Sequence, residues 1–524
     1  MSELVAMSRL VLRRDRLRIA IWTASIVVLV FAGASSVKSL YRDPADLEQY
    51  ARTVENNVAV IAFTGPTYSI ETLGGRIAFE TSTQVALAIG LMALLAMTRH
   101  TRAEEESGRA ELLRSTPMGR HTGLVAALLV TSAVCAAIGA GTAAALMAIG
   151  LPAAGSVTLG AVITAVGLFF AAVGAVTAQV TEHTRGASGL AFAVLGVAFV
   201  VRAVGDTSTP VLRWLSPIGI AQHSRAFAGE RWWPLLVLLA MAAALVVLAV
   251  HLAGRRDLGA GLVPDRPGPA RAAPSLGSPF GLALRLQRGV LVSWTVGIFV
   301  FAALMGAIAE SAEELIGDSE QMRDIMAQAG ITDVVDSFLA TMLVMTSLTA
   351  SGFVVQSILR LRSEETAGRS EMILATGVSR RGWISANVVV TVVGTAVVLL
   401  AAGLGTGGAH ALQTADAAQV PRLIGAALVH APAVLVLAAV AVLVFGLVPR
   451  AIGLVWLPLA FAGVVGVLGD LLRIPGWLAA LSPFDHLPAV PARSAAVVAL
   501  PVLALIAVAA TGLGLLAYER RDVG

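Results

Sequence analysis

Long apolar runs recur along the chain with only short charged segments between them. Ile19–Val37, Phe79–Met97, Gly123–Ile149, Leu235–Leu252, Val290–Ala309 and Ala495–Ala517 each hold roughly the 20 apolar residues needed to cross a bilayer. A soluble core helix would have to show one face to water, which such runs cannot do. Extending the reading to weaker runs predicts twelve spans, at roughly 19–37, 79–98, 123–149, 157–181, 187–204, 234–252, 290–309, 337–358, 384–409, 424–447, 451–471 and 496–517. The expected fold class is an all-α polytopic membrane protein with about 12 transmembrane helices in two parallel six-helix repeats.

Several segments between the spans have a pattern of their own. Leu4, Met7 and Val11 share one helical face and Arg9, Arg13 and Arg16 another. This suits either an interfacial helix over 1–18 or a plain positive topology signal. No small-residue cleavage site follows the first run closely, so no cleavable signal is expected. Asp43–Pro44 should cap a polar helix through about Asn57, with Ser319–Ala329 as its counterpart. The stretches 205–233 and 472–495 carry Trp and Pro without span character. They fit a re-entrant or interfacial path, with Trp232, Trp233 and Trp477 at the membrane boundary.

Composition supports the membrane reading: 57% of the 524 residues are hydrophobic and 13% charged, where a soluble domain has about a quarter charged. Cys135 is the single cysteine, so no intrachain disulfide forms. The net charge of +4 reflects arginines that orient the spans, and no nucleic-acid partner is implied. Loops 99–122, 254–289 and 359–383, both termini and the turns at Arg185 and Arg450 hold 25 of the 37 basic residues, leaving 12 opposite. The positive-inside rule therefore places both termini of this multi-pass membrane protein in the cytoplasm.

Internal repetition refines this picture. Arg102, Glu104, Glu105, Gly108, Arg109, Glu111, Thr116 and Arg120 return as Arg362, Glu364, Glu365, Gly368, Arg369, Glu371, Thr376 and Arg380, each 260 residues later. Arg13, Arg16 and Trp22 match Arg285, Arg288 and Trp294; Leu215–Ser216–Pro217 matches Leu481–Ser482–Pro483; and Arg255–Gly259 matches Arg520–Gly524. Four ordered matches mark a duplicated and fused chain. The expected division is a first half over 1–253, a Pro/Gly/Arg-rich linker over 254–279 and a second half over 280–524. Halves of six spans have the same orientation and a pseudo-twofold axis along the membrane normal.

A phosphate-binding loop of the Walker type needs a lysine after its glycines. The only lysine, Lys38, follows Val37 at the end of the first span. If ATP drives this chain, the ATPase is another polypeptide, and the chain itself is no enzyme. The repeated loops are the main positive signal. Glu105 with Arg109, and Glu365 with Arg369, stand four apart with the acid first, the better order for a helical pair. Pro117 and Gly377 should stop the two helices. A solvated helix explains one such loop, but two copies of Glu-Glu-x-x-Gly-Arg-x-Glu point to docking surfaces for a partner that also comes twice.

The order of these features resembles the permeases of ABC-2-type exporters, particularly the fused double-length group of polyketide-antibiotic or tetronasin-type multidrug exporters. The resemblance covers essentially the whole chain. It implies that loops 99–122 and 359–383 are coupling helices seated on two copies of a separate ABC ATPase subunit, which bind ATP and Mg. No cofactor is expected on this chain. The basic segments with Arg13, Arg16, Arg285 and Arg288 would be second contacts to the ATPase or the membrane lipid. It also implies a re-entrant hairpin before each sixth span and export of small hydrophobic or amphipathic compounds. Phe169, Phe170, Met305, Met342, Met345 and Phe353 are candidates for an apolar path between the halves.

Two other classes fit parts of the pattern. Glu104–Glu105 with Arg109 matches the Glu-Glu-x-x-x-Arg signature of membrane-embedded CAAX-type proteases. The histidines, however, show no paired ligand spacing, and the motif sits in Arg-rich loops. An ion-coupled secondary drug transporter of the twelve-span class needs ionisable groups deep in the membrane. Glu80, Glu182, Asp470, His410 and His430 all fall near predicted span ends, which favours ATP coupling.

Overall fold

The computed structural model describes residues 3–41, 43–55, 57–115, 118–264, 268–317, 334–468, 474–492 and 498–521. Among these there are helices and no strands, and 12 helices are long and apolar enough to cross a membrane. Each overlaps one of the expected spans. The protein is thus an all-helical, multi-pass membrane protein. It divides into two compact units, Met1–Gly268 and Pro269–Gly524, a boundary inside the expected linker.

The first unit contains α1 (Glu3–Leu40), α2 (Pro44–Glu55), α3 (Val58–Thr64), α4 (Leu73–His100), α5 (Arg102–Glu106), α6 (Arg109–Arg114), α7 (Thr122–Ala148), α8 (Ala153–Val180), α9 (Thr184–Thr207), α10 (Pro217–Gln222) and α11 (Trp233–Arg255). Helix α8 is the most buried span, packed against α4, α7, α9 and α11. Small residues make this possible. A Cβ on Gly139 would lie 2.4 Å from the Gly160 carbonyl oxygen, and one on Gly160 would lie 2.4 Å from that of Gly139. The backbones of α7 and α8 therefore touch, the contact that small residues permit between membrane helices. Gly139→Val should force them apart at a cost of about 1–3 kcal/mol. A lower melting temperature in detergent, with the fold retained, checks this.

The second unit contains α12 (Pro279–Gly317), α13 (Val334–Thr366), α14 (Arg369–Leu374), α15 (Arg380–Thr414), α16 (Gln419–Leu428), α17 (Ala431–Leu447), α18 (Trp456–Leu468), α19 (Gly476–Ala479) and α20 (Ala499–Arg520). Its small-residue run over 401–408 plays the same part. A Cβ on Gly405 would lie 2.5 Å from the Phe299 carbonyl, and one on Gly403 would lie 2.4 Å from the Ile424 Cα.

Several expectations change. The expected surface helix over 1–18 is not separate from the first span, because Glu3–Leu40 is one uninterrupted helix; Pro279–Gly317 likewise continues through Arg285 and Arg288. Neither helix contains a proline beyond its first residue, so the hydrogen-bond ladder runs on past the predicted boundary. The linker also begins later than residue 254. Helix α11 runs to Arg255, and Leu262 and Val263 donate backbone hydrogen bonds to the carbonyls of Gln179 and Val180 (3.1 and 2.9 Å), folding 256–263 back onto α8.

The polar helix after Asp43 forms as Pro44–Glu55, with the Asp43 side chain accepting from Ala45 N–H. Its expected counterpart Ser319–Ala329 lies outside the described residues, as do Thr116, Pro117, Pro267 and Asp470. In 205–233, a 3-10 turn over Pro210–Leu215 leads into α10, every residue of which is buried. Ser216 caps α10 and donates to the Ala198 carbonyl (2.7 Å), which pulls this segment into the unit. Trp214 stacks on Trp233 (5.2 Å), while Trp232, Trp233 and Trp477 remain exposed.

Candidate functional site

The first repeated loop leaves α4 at Thr101 and forms α5 and α6, separated by Gly108 in the left-handed region (φ +73°). Glycine adopts that conformation without a Cβ penalty and ends α5 by donating to the Glu105 carbonyl (3.0 Å). The turn swings Arg109 back over Glu104, which it holds at 2.9 Å, with Arg14 of α1 on the other carboxylate oxygen. Glu105 points the opposite way. Its carboxylate accepts from Arg102 (2.7 Å) and doubly from Arg256 (2.7 Å each), just beyond α11.

Arg102 is fully buried and also donates to the carbonyls of Thr181, Gly259 (3.2 Å) and Ala260 (2.9 Å). Arg120 donates to the Arg256 carbonyl (2.8 Å), and Arg256 to the Gln179 side chain (2.8 Å). The loop is therefore latched to the end of the sixth span and to the turn after α8 by guanidinium groups whose hydrogen bonds are largely satisfied. Such bidentate charge-assisted pairs are the stronger ones.

The second unit repeats this constellation. Gly368 takes φ +70° and donates to the Glu365 carbonyl (2.9 Å), and Arg369 reaches back to Glu364 (2.6 Å), which Arg360 also approaches (3.5 Å). Glu365 is held by Arg362 (3.1 Å) and by Arg521, just beyond α20. Arg380 donates to the Arg521 carbonyl (2.8 Å), as Arg120 does to Arg256. Arg521 additionally lies about 5 Å from the stacked rings of Phe445 and Tyr518. The nearby carboxylates raise Arg109 and Arg369 above the usual arginine pKa, chiefly through the hydrogen bonds to Glu104 and Glu364.

The pairing differs from the expected one. Glu105–Arg109 and Glu365–Arg369 are not helical pairs, because the left-handed glycine breaks the helix between them. The partners are Glu104–Arg109 and Glu364–Arg369, five residues apart across the break. Nor is 104–115 a single helix. The buried carboxylates face inward and hold the loop, while α6 and α14 turn a different set of side chains outward. Glu111 and Glu371 are exposed, beside Leu112 (73% exposed) and Met372 (66%), also 260 residues apart. An exposed apolar residue at the same place in both copies is a feature that the charge pattern alone conceals.

Arg13, Arg16, Arg285 and Arg288 are all exposed; it is their neighbour Arg14 that joins the Glu104 cluster. The path candidates fare differently. Phe169 and Phe170 pack edge to face (5.4 Å) in the core of the first unit, and Phe353 is fully buried in that of the second, where its ring lies on Gly394. Those three serve as core, since α8 and α13 are the most enclosed spans of their units. Met305 is buried, and Met342 and Met345 are half-buried.

Sequence reasoning overlooked Arg202 inside the fifth span. It is fully buried, paired with the buried Asp206 (3.2 Å), and donates to the Ala62 carbonyl (2.7 Å); Arg213 also holds Asp206 (2.8 Å). The Arg-x-x-x-Asp spacing, one helical turn, was the available signal. These groups tie α3 and the 3-10 turn to α9. Among the described residues no group of three or more His, Cys, Asp or Glu is placed to hold a metal ion. Glu104 and Glu105, the pair a CAAX-type protease would need, are instead engaged by arginines on opposite sides of the loop.

Two units of membrane-length helices, each carrying the same latched loop, define a multi-pass membrane protein built on an internal repeat. The sequence profile of the family described as "Multidrug efflux system permease Rv1217c, C-terminal domain" matches residues 4–252 and 276–519, and the chain belongs to that family. It is 40% identical over 520 residues to the "Multidrug efflux system permease protein Rv1217c" of Mycobacterium tuberculosis (strain ATCC 25618 / H37Rv), covering 98% of this chain and 94% of that protein.

Proposed function

We propose that the chain is the membrane-spanning permease of an ATP-driven exporter, resembling the ABC-2 type, and that α6 and α14 dock two copies of a separate ATPase subunit. ATP and Mg bind on that partner. The permease expels hydrophobic or amphipathic compounds, drugs among them, as the name of the mycobacterial relative says of that protein. It sits in the bacterial inner membrane with both termini and both latched loops in the cytoplasm.

The observation that carries this reading is the duplicated arrangement itself. Leu112 and Met372 stand exposed on short helices, each following a segment that is latched by a half-buried Glu held between two arginines. A braced apolar knob transmits a push, whereas a freely solvated loop absorbs it. ATP shifts the permease between states only by the difference in the partner's affinity for them. A rigid contact makes that difference large.

The test is transport by purified components. Liposomes holding the chain and its ATPase should expel a fluorescent hydrophobic dye when ATP is supplied to the ATPase side. No transport should follow from an imposed proton gradient alone. Dye movement by the chain without ATPase, driven by that gradient, would identify an ion-coupled carrier instead.

A further inference from the structure

The first unit contains a cavity of about 420 Å³ between α1, α4, α7 and α9, within the roughly 300–1,000 Å³ typical of small-molecule sites. One end is charged. Asp15, buried, is held by Arg99 (2.9 Å) and His100 (3.0 Å), and Arg18 lies 3.7 Å from the same carboxylate. Elsewhere the wall is mainly apolar, with Trp22 and Val134 on it. Thr131 also lines it, at 2% exposure, and its hydroxyl has no hydrogen-bond partner among the described residues. Buried hydroxyls are normally satisfied, so this one, on the cavity wall, is open to a partner from a bound molecule.

The second unit shows that the space is not a by-product of the repeat. There the side chains at several corresponding positions bond one another. The Trp294 ring lies against Gly352, where the first unit has Met92, and donates to Gln356 (2.7 Å), where it has Ala96. Gln287 replaces Asp15 and bonds Asn387 (3.1 Å) and Ser357, and Thr391, the counterpart of Thr131, bonds Ser357 (2.7 Å). Drift in the repeat thus left a charged cluster around Asp15 beside the cavity of the first unit and a network of uncharged side chains at the matching positions of the second.

We propose that this cavity binds an amphiphile with a single anionic head and an apolar body. Arg18 and Arg99 face one carboxylate, Asp15, which leaves one cation in excess at the polar end. An anionic head satisfies it, while a cationic head would add to the repulsion. The body lies along Trp22 and Val134, and Thr131 bonds a polar atom of the ligand. The site stands on the first unit alone and does not depend on how transport is driven.

Photolabelling of the full-length chain in nanodiscs tests this, with a diazirine-bearing hexadecanoic acid, its trimethylammonium counterpart and a phosphatidylglycerol carrying the same chain. An anionic probe should label α1, α4 and α7 peptides around the cavity at least five-fold more than the cationic probe. Val134→Trp should abolish that labelling by filling the space. Thr131→Val, which keeps the shape, should reduce it several-fold and serves as the test if the tryptophan variant does not fold. Labelling by phosphatidylglycerol alone identifies a resident bilayer lipid, and labelling by the free acid alone identifies a soluble amphiphile. Equal labelling by anionic and cationic probes, labelling unchanged in a folded Val134→Trp protein, or no labelling at the cavity by either anionic probe would overturn the assignment.

Discussion

Replacing Leu112 and Met372 together by aspartate should abolish ATP-driven transport while leaving the permease as abundant and as heat-stable as the parent. Both side chains project from short helices with most of their surface exposed, so neither contributes to the packing of its unit. If they are the apolar centre of the contact with the ATPase, each substitution buries a charge at that contact. A central contact residue is worth about 2 kcal/mol when truncated, roughly thirty-fold in affinity. Either single variant should lose one contact and most of the transport. Unimpaired dye efflux in the double variant would remove α6 and α14 from the coupling.

A different outcome is expected for Glu105→Arg with Glu365→Arg. The motif alone suggests that these acids face the partner, in which case reversal would uncouple transport in an intact protein. The structure places them inside, between Arg102 and Arg256 and between Arg362 and Arg521. Reversal sets a third guanidinium among two that are already partly buried. Removing one partner of a buried pair costs about 3–5 kcal/mol, so the variant should accumulate poorly and melt earlier, with transport lost for that reason. A double variant present at parental level, and melting at the parental temperature, would show that the latches are dispensable. The two experiments separate bracing from contact, which the repeated motif presents as one feature.

The spans were legible because lipid imposes a long, uniform requirement that local composition records. The repeat was legible because charged residues between spans are few, so a constant offset stands out. The pairing within the loops was not. Counting four residues from Glu105 to Arg109 assumes an unbroken helix, and one glycine at φ +73° redirects both side chains. The terminal arginine strings were visible as repeats, yet their meeting with the loops spans about 150 residues and depends on where α8 and α11 end. Leu112 and Met372 escaped notice because an apolar residue in sequence carries no mark of exposure. The core roles of Phe170 and Phe353 were hidden for the converse reason: which face of an all-apolar helix is enclosed depends on its neighbours.

The most direct test of two docking surfaces on one chain is the subunit ratio of the purified complex. The chain should be extracted in mild detergent after co-expression with the ATPase proposed as its partner, and the mass of the assembly measured. One permease with two ATPase subunits is expected, falling to one with one when either Leu112 or Met372 alone is replaced by aspartate. A permease that purifies without any ATPase, or a complex whose composition ignores both substitutions, would contradict the account.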